Sequence, residues 1–302
     1  MKNAKPFVLK VITPLHAGSG QDLGIVDLPI QRERHTGYPK IEASGLKGCL
    51  RENFSKNKET KKQDIDFIFG PEESGDHAGA LGFIDGRLLL FPIKSVKGLF
   101  AWATSYDVLT KWKNTMKMIG EKQDFNIPNP QNGECYITEK SDLNLKNNAV
   151  VLEEYCFNTA EKDIPNELVT KLSFFTGILE LEKQLIILSN DDFKDFVNLS
   201  TEVITRTKID PKTGTVQTGA LFIEEYLPSE SVLYSLAIPA SIFTKQEDKK
   251  DFLAGREDKV AIMDFWNKHH PHYLQIGGNA TIGKGLVEMS SPEMGGTDEN
   301  NE

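Results

Sequence analysis

The chain has 302 residues, 39% of them hydrophobic and 26% charged, which suits one large domain or two ordinary ones with a sizeable core. A net charge of −9 argues, taken alone, against a nucleic-acid binder, and no apolar run approaches the ~18 residues of a membrane span. Cys49, Cys135 and Cys156 form no CxxC pair, and Lys10 interrupts the apolar N-terminal stretch, so neither a disulfide framework, a zinc knuckle nor a signal peptide is read, and the expected compartment is the cytoplasm.

Residues 7–13 predict an apolar strand, followed by a Gly18-Ser19-Gly20 turn. Asp27 then stands alone as an acid between the apolar stretches 23–26 and 28–30, just before Arg32 and Arg34. Ser44 is placed to N-cap a helix whose Leu46, Leu50 and Phe54 recur every four residues. Residues 56–63 read as a Lys-rich loop. Residues 81–84 and 88–91 read as two strands joined by a hairpin turn at Asp85-Gly86. Ser95 predicts a further helix with Val96, Leu99, Phe100 and Ala103 on one face, and residues 106–119 continue as an amphipathic helix. Residues 120–148 are Asn-, Pro- and Lys-rich and read as an insertion. Strands are expected at 173–180, 184–188, 233–239 and 286–289, and helices from Asp191 and over 260–269. The acidic stretch from Ser290 onward reads as a disordered tail. Strands and helices interleave without a doubly wound rhythm, which fits an α+β fold on a ferredoxin-like core with long insertions.

Charge is uneven along the chain. Residues 1–54 hold eight Lys/Arg (Lys2, Lys5, Lys10, Arg32, Arg34, Lys40, Lys47, Arg51) against five acids (Asp22, Asp27, Glu33, Glu42, Glu52), and a local basic stripe matters more to an RNA binder than the total. Two segments echo each other, Ser44-Gly45-Leu46-Lys47-Gly48 and Ser95-Val96-Lys97-Gly98-Leu99. Each puts a Lys-Gly where a helix would start, either as a phosphate-binding arrangement or as a capped helix with a solvated lysine.

Residues 205–220 are polar and β-branched around the turn Asp210-Pro211-Lys212-Thr213-Gly214. With only Ile209 and Val216 to bury, this hairpin projects; it is an ordinary exposed hairpin or an arm whose Arg206 and Lys208 meet phosphate. Gly278 to Lys284 matches G-x-x-x-x-G-K, but Gly285 follows where Ser or Thr would hold magnesium, and a strand rather than a helix comes next. A nucleotide hydrolase is therefore rejected, leaving a backbone-rich loop (Gly277, Gly278, Gly283, Lys284) suited to a phosphodiester chain. His269-His270-Pro271-His272 lacks companion ligands and reads as surface. His16, beside the glycine turn at Gly18, suits RNA contact or proton donation. For Asp27, composition favours a turn carboxylate bonded to nearby backbone; the alternative is a residue that holds a divalent cation or helps deprotonate a 2′-hydroxyl.

The segments HAGSG, IVDLPIQRERHTG, SGLKGCLR, LLLFPIKSVKGLFAWATS, LSNDDF, STEVITRTKIDPKTGTVQTGALFIEEYLP and GGNATIGKGLV, taken in order, resemble the family of the fourth Cmr subunit. That is the backbone protein of type III-B CRISPR RNA-guided effector complexes, within the RAMP superfamily. The resemblance implies a single RAMP domain over 1–290: an RRM-like palm, an insertion near 120–170 and a thumb hairpin near 205–220, with an acidic tail at 291–302. It also implies copies stacked along a guide crRNA, together with other Cmr subunits and away from any membrane. The thumb would distort the guide–target duplex at intervals, and the target RNA would be cut at each one by a metal-dependent Asp that aligns with Asp27, using Mg2+ or Mn2+. By the same resemblance His16, Ser19, the Ser44/Lys47/Arg51 helix start and the Gly277–Lys284 loop fall where the family touches guide RNA. The rival from another class is a purely structural crRNA-binding subunit.

Overall fold

The computed structural model describes residues 1, 3–22, 24–72 and 77–292. The tail expected at 291–302 lies, from residue 293 on, outside the described residues. In chain order the elements are β1 (Lys5–Val11), β2 (Lys40–Ile41), α1 (Ala43–Lys56), α2 (Lys62–Phe69), β3 (Leu81–Phe83), β4 (Gly86–Lys94), β5 (Phe100–Ser105), α3 (Tyr106–Met118), β6 (Glu134–Ile137), β7 (Ala149–Leu152), β8 (Tyr155–Thr159), α4 (Asn166–Thr176), β9 (Leu185–Leu188), α5 (Asn190–Leu199), β10 (Glu202–Ile209), β11 (Val216–Tyr226), β12 (Val232–Pro239), α6 (Gln246–Leu253), α7 (Asp258–His269), β13 (Tyr273–Gln275) and β14 (Leu286–Ser290). No helix among the described residues is long and apolar enough to cross a membrane.

Among the described residues twelve strands share one mixed sheet, ordered β13-β14-β1-β12-β4-β5-β9-β6-β8-β7, with β2 beside β4 and β3 beside β12. β1 runs antiparallel to both β12 and β14, whereas β5–β9 and β6–β8 are parallel. β1 and β12 are buried along nearly their whole length because helices cover both faces of the sheet, which is why they read as continuous apolar runs. Phe7 lies opposite Ser235 and Val8 opposite Tyr234, so Phe7 and Tyr234 point to opposite faces. On one face the Phe7 ring meets Trp266 of α7 at 5.4 Å, and Trp266 stacks at 6.1 Å on Phe54 of α1. On the other, Tyr234 meets Phe175 of α4 at 6.3 Å, which packs on Trp112 of α3 at 5.3 Å. Truncating Phe54 or Trp266 to alanine would cost about 3–5 kcal/mol.

Several local expectations fail. The helix expected from Ser95 is absent: Gly98 (φ 79°) and Leu99 (φ 70°) are left-handed and turn the chain from β4 into β5. The apolar run after it is a strand buried on both faces, which periodicity cannot tell from a helix. Lys97 therefore sits on a hairpin turn, not at a helix start, and its Nζ donates to the Asn144 carbonyl at 2.7 Å. Ser44 is the second residue of α1 rather than its cap; the cap position is Glu42, and the Ala43 N–H is taken by Asp85 Oδ1 at 2.9 Å. The Asp85-Gly86 hairpin does not form either, since β3 and β4 both pair with β12 in the same direction. The strand expected at 173–180 begins instead as the end of α4, whose Leu168, Leu172 and Phe175 share a buried face.

β10 and β11 form a separate two-stranded hairpin. Its turn follows from the sequence. The Asp210 Oδ1 accepts the Lys212 N–H at 2.8 Å, and Gly214 takes the left-handed conformation that closes the turn at φ 69°. Ile209 and Val216 are about half exposed at 52% and 48%, so the outer half of the hairpin packs into no core.

Candidate nucleic-acid interface

After β1 the chain folds back on itself beside the hairpin. The Ser19 N–H donates to Pro29 O at 3.0 Å, the Gln31 N–H to Ala17 O at 2.8 Å, and the Asp22 N–H to Asp27 O at 3.0 Å, closing a loop over residues 22–27. Leu28 then pairs with β11: its N–H donates to Ile223 O and its carbonyl accepts the Glu225 N–H, both at 3.0 Å. Asp27 stands where these two ladders meet. Its Oδ2 accepts the Ile223 N–H at 2.7 Å, and its Oδ1 has no hydrogen-bond partner among the described residues. The turn role read from composition and an available carboxylate oxygen thus coexist in one side chain.

Behind this edge two adjacent acids of β11 are buried on opposite faces of the hairpin. Glu224 accepts hydrogen bonds from Arg206 Nε (3.1 Å), Tyr226 OH (2.5 Å) and Asn279 Nδ2 (2.6 Å), with His16 Nε2 at 3.7 Å. Burial alone would raise the Glu224 carboxyl, but the Tyr226 and Asn279 hydrogen bonds and the charges of His16 and Arg206 outweigh it and hold the group below the usual carboxylate range. Burial, then the Glu224 hydrogen bond, pushes the Tyr226 phenol up. The Glu225 carboxylate accepts from Arg32 (2.5 Å), Thr201 Oγ1 (2.8 Å) and the Ile30 N–H (3.0 Å). His16 Nδ1 lies 2.8 Å from the Glu225 carbonyl. A carbonyl can only accept, so Nδ1 carries the hydrogen and Nε2 faces Glu224.

The Gly277–Lys284 loop is strapped to the segment that follows β1. The Gly278 N–H donates to His16 O and the Gly285 N–H to Pro14 O, both at 3.0 Å. At Gly277 (φ 75°) a Cβ would lie 2.1 Å from the His16 carbonyl oxygen, so only glycine permits this approach. Gly283 is also left-handed, and the loop leads into β14 through a single 3-10 turn, with no helix of the kind a nucleotide-phosphate loop needs. The Lys284 ammonium sits 4.9 Å over the Tyr226 ring. Nearby, α1 packs against β13, the strand that leads into this loop, which places the Lys47 helix beside it.

The expected cations divide into two groups. Arg32 is held by Glu225, the Gly37 and Val197 carbonyls and Asn198; Arg51 by Asp66, Glu72 and the Gly70 carbonyl. Both, like Arg206 and Lys97, spend hydrogen bonds inside the protein. Arg34, Lys47 and Lys208 carry no hydrogen bond or ion pair among the described residues. Burial and the neighbouring Arg51 push the Lys47 ammonium down. Ser19 Oγ donates to Pro29 O at 3.2 Å, Gly18 bridges to Ile30, and Ser44 is exposed on α1. Glu224, Tyr226 and Asn279 escaped the residue-level reading. Two successive acids ending an apolar strand, in LFIEEY, were the available signal, because buried carboxylates need partners.

Among the described residues no group of three or more His, Cys, Asp or Glu is placed to hold a metal ion. The donor set at Asp27 is a single carboxylate with one oxygen engaged, which does not make a resident metal site.

The described residues thus form a mixed α/β sheet and a two-stranded hairpin, with Asp27, His16 and the glycine loop gathered at the hairpin's base, and the class of this protein is given by its match to the RAMP superfamily. The superfamily's sequence model matches residues 8–288, and the chain belongs to the RAMP superfamily. It is 37% identical over 299 residues, 96% of this chain and 97% of the relative, to the Pyrococcus furiosus protein named CRISPR system Cmr endoribonuclease Cmr4. A Saccharolobus solfataricus relative named CRISPR system CMR subunit Cmr4 is 30% identical, covering 94% of this chain and 95% of the relative. The crystal structure of oligomeric Cmr4 from Pyrococcus furiosus matches with a TM-score of 0.73 at 30% identity, covering 97% of this chain and 99% of that one.

Proposed function

We propose that this chain is a backbone subunit of a type III-B CRISPR RNA-guided effector, in which copies stacked along the guide crRNA cut complementary target RNA at regular intervals. The observation that carries the reading is 37% identity, over almost the full length of both chains, to a named endoribonuclease, with an oligomeric relative of the same fold. Strands β14-β1-β12-β4, with α1 and α7 as crossovers, follow the βαββαβ order of a ferredoxin-like, RRM-like palm, and β10–β11 is the thumb. Phosphate contacts position any guide, and base pairing supplies specificity. Arg34, Lys47, Lys208 and Lys284 are the cations with charge to offer; Arg32, Arg51 and Arg206 shape the surface that presents them. A cytoplasmic setting belongs to the same proposal.

In the cleavage step Asp27 Oδ1 takes the proton of a target 2′-hydroxyl. The 2′-oxygen attacks the adjacent phosphorus in line, and the bond to the 5′-oxygen breaks as that oxygen gains a proton. The Ile223 N–H fixes the carboxylate so that one oxygen stays forward. Mg2+ or Mn2+ would draw most of its ligands from the RNA phosphates, and the step is written without it. The second reading, a purely structural crRNA-binding subunit, is favoured by that same Asp27–Ile223 bond. The deciding experiment is Asp27→Ala in the assembled complex. Retained guide and target binding with loss of the periodic cuts supports cleavage by Asp27; unchanged cuts overturn it.

A further inference from the structure

The turn between β7 and β8 and the outer face of α5 border a groove of 200 Å³ whose lining does not include Asp27, His16 or the Gly277–Lys284 loop. Its floor is aromatic. Phe196 is buried, and Tyr155 and Phe157 pack against it at 5.8 and 5.9 Å. Tyr155 and Leu199 remain 50% and 74% exposed on its walls. Its rim is acidic: the carboxylates of Glu153, Glu154 and Asp195 have no hydrogen bond or ion pair among the described residues. A fourth acid, Asp192, is held by Ser189 Oγ and the Gly133 N–H. Lys94 at the end of β4 and Lys194 on α5 itself pair with none of these acids. At the end of the groove the Ser200 hydroxyl oxygen is buried with no hydrogen-bond partner.

Unpaired carboxylates around an apolar floor repel a phosphodiester chain, so this surface is unsuited to RNA. They suit a cation with a flat, weakly hydrated head and a long apolar stem. Guanidinium meets that description better than ammonium: it forks onto carboxylates, stacks on a tyrosine face and lays its methylenes on Leu199 and Phe196. We infer that this groove docks an arginine-bearing segment of a protein partner. Charge complementarity, with the aromatic floor, commits the occupant to that chemistry. The inference is independent of the cleavage proposed for Asp27.

The test titrates the full chain with the blocked peptide acetyl-Leu-Arg-Leu-Arg-Leu-amide, followed by calorimetry and by chemical shifts. A matched peptide with citrulline for arginine keeps the shape and removes the charge. Binding that weakens at least tenfold with citrulline, and at least tenfold in the combined variant Glu153→Gln, Glu154→Gln, Asp195→Asn, is the expected result. Tyr155→Leu, which keeps an apolar wall, is expected to weaken binding several-fold without moving the melting temperature. Equal binding of both peptides, or an unaffected triple variant, overturns the inference in favour of apolar adhesion. A uridine oligonucleotide whose binding falls in the triple variant overturns it in favour of RNA. Salt-sensitive self-association in sedimentation, abolished by the triple variant and unaccompanied by peptide binding, overturns it in favour of a contact between copies.

Discussion

The Asp27 carboxylate accepts the Ile223 N–H at 2.7 Å through one oxygen, so one side chain both fixes its loop to the base of the hairpin and keeps a second carboxylate oxygen available. The two roles separate chemically. Asp27→Asn keeps an oxygen that can accept from Ile223 but removes the charge and the base. The expected outcome is a melting temperature close to the parent's and cleavage reduced about 10²-fold or more, read as the ladder of target fragments from the assembled complex. An Asp27→Asn variant that cuts at the parental rate would leave the residue with a structural role only.

Arg32 and Arg34 are two residues apart and are expected to fail in different ways. Arg32→Ala leaves Glu225 buried without its cation and should destabilise the fold by about 3 kcal/mol, measured by denaturant titration. Arg34→Ala should leave stability within about 0.5 kcal/mol and lower the slope of log binding constant against log salt by about 0.7. Identical behaviour of the two variants would contradict the division of cations.

Acid should loosen the Glu224 network. Its carboxyl titrates below the usual range when folded, so the stability it contributes is fully present above the unfolded value of about 4.3 and is lost as pH falls through the folded value. Glu224→Gln should flatten the fall of melting temperature on acidification below about pH 4.3. A residual slope is expected, because Glu33, Asp85 and Asp258 are also held low. A variant with an unchanged slope would show that Glu224 is not a source of the acid sensitivity.

Gly277→Ala puts a methyl group against the His16 carbonyl in a left-handed backbone. The expected cost is about 1–3 kcal/mol, accompanied by faster hydrogen exchange at the Gly278 and Gly285 amides. Gly45→Ala, in α1 where a Cβ meets nothing within 4 Å, is the control and should be neutral or stabilising.

Deleting Lys208–Gln217 should leave the fold within about 1 kcal/mol of the parent, because these residues pack only within the hairpin. The cut spacing in the assembled complex should blur or vanish. Unfolding of the deletion variant would show that the hairpin supports the core.

Much of the architecture was legible where one physical signal dominated. The four-residue spacing of Leu46, Leu50 and Phe54 gave α1, and Asp210 with Gly214 gave the hairpin turn. Reading failed where signals compete. Phe100–Ser105 is buried on both faces, so no period marks it as a strand. The Asp85-Gly86 pair imitates a hairpin turn, but β12 is long enough to take both flanking strands in line. At the candidate interface, Asp27 and the glycines stand out by oddness in their local context. The pairing of Arg32 with Glu225 could not be read, because the two are 193 residues apart in sequence, a distance over which no local pattern operates.

Strand β1 is flanked by β12 and β14, with Val8 opposite both Tyr234 and Ser290. During synthesis, then, β1 waits for β12 before one of its edges is closed and for β14 before the other is. Until that moment a nascent chain has an open apolar ribbon, no seat for the Gly277–Lys284 loop and no finished surface around His16. Such long-range closure is slow and exposes the chain to aggregation. It also means that a chain truncated before β14 lacks the pairing that completes this surface.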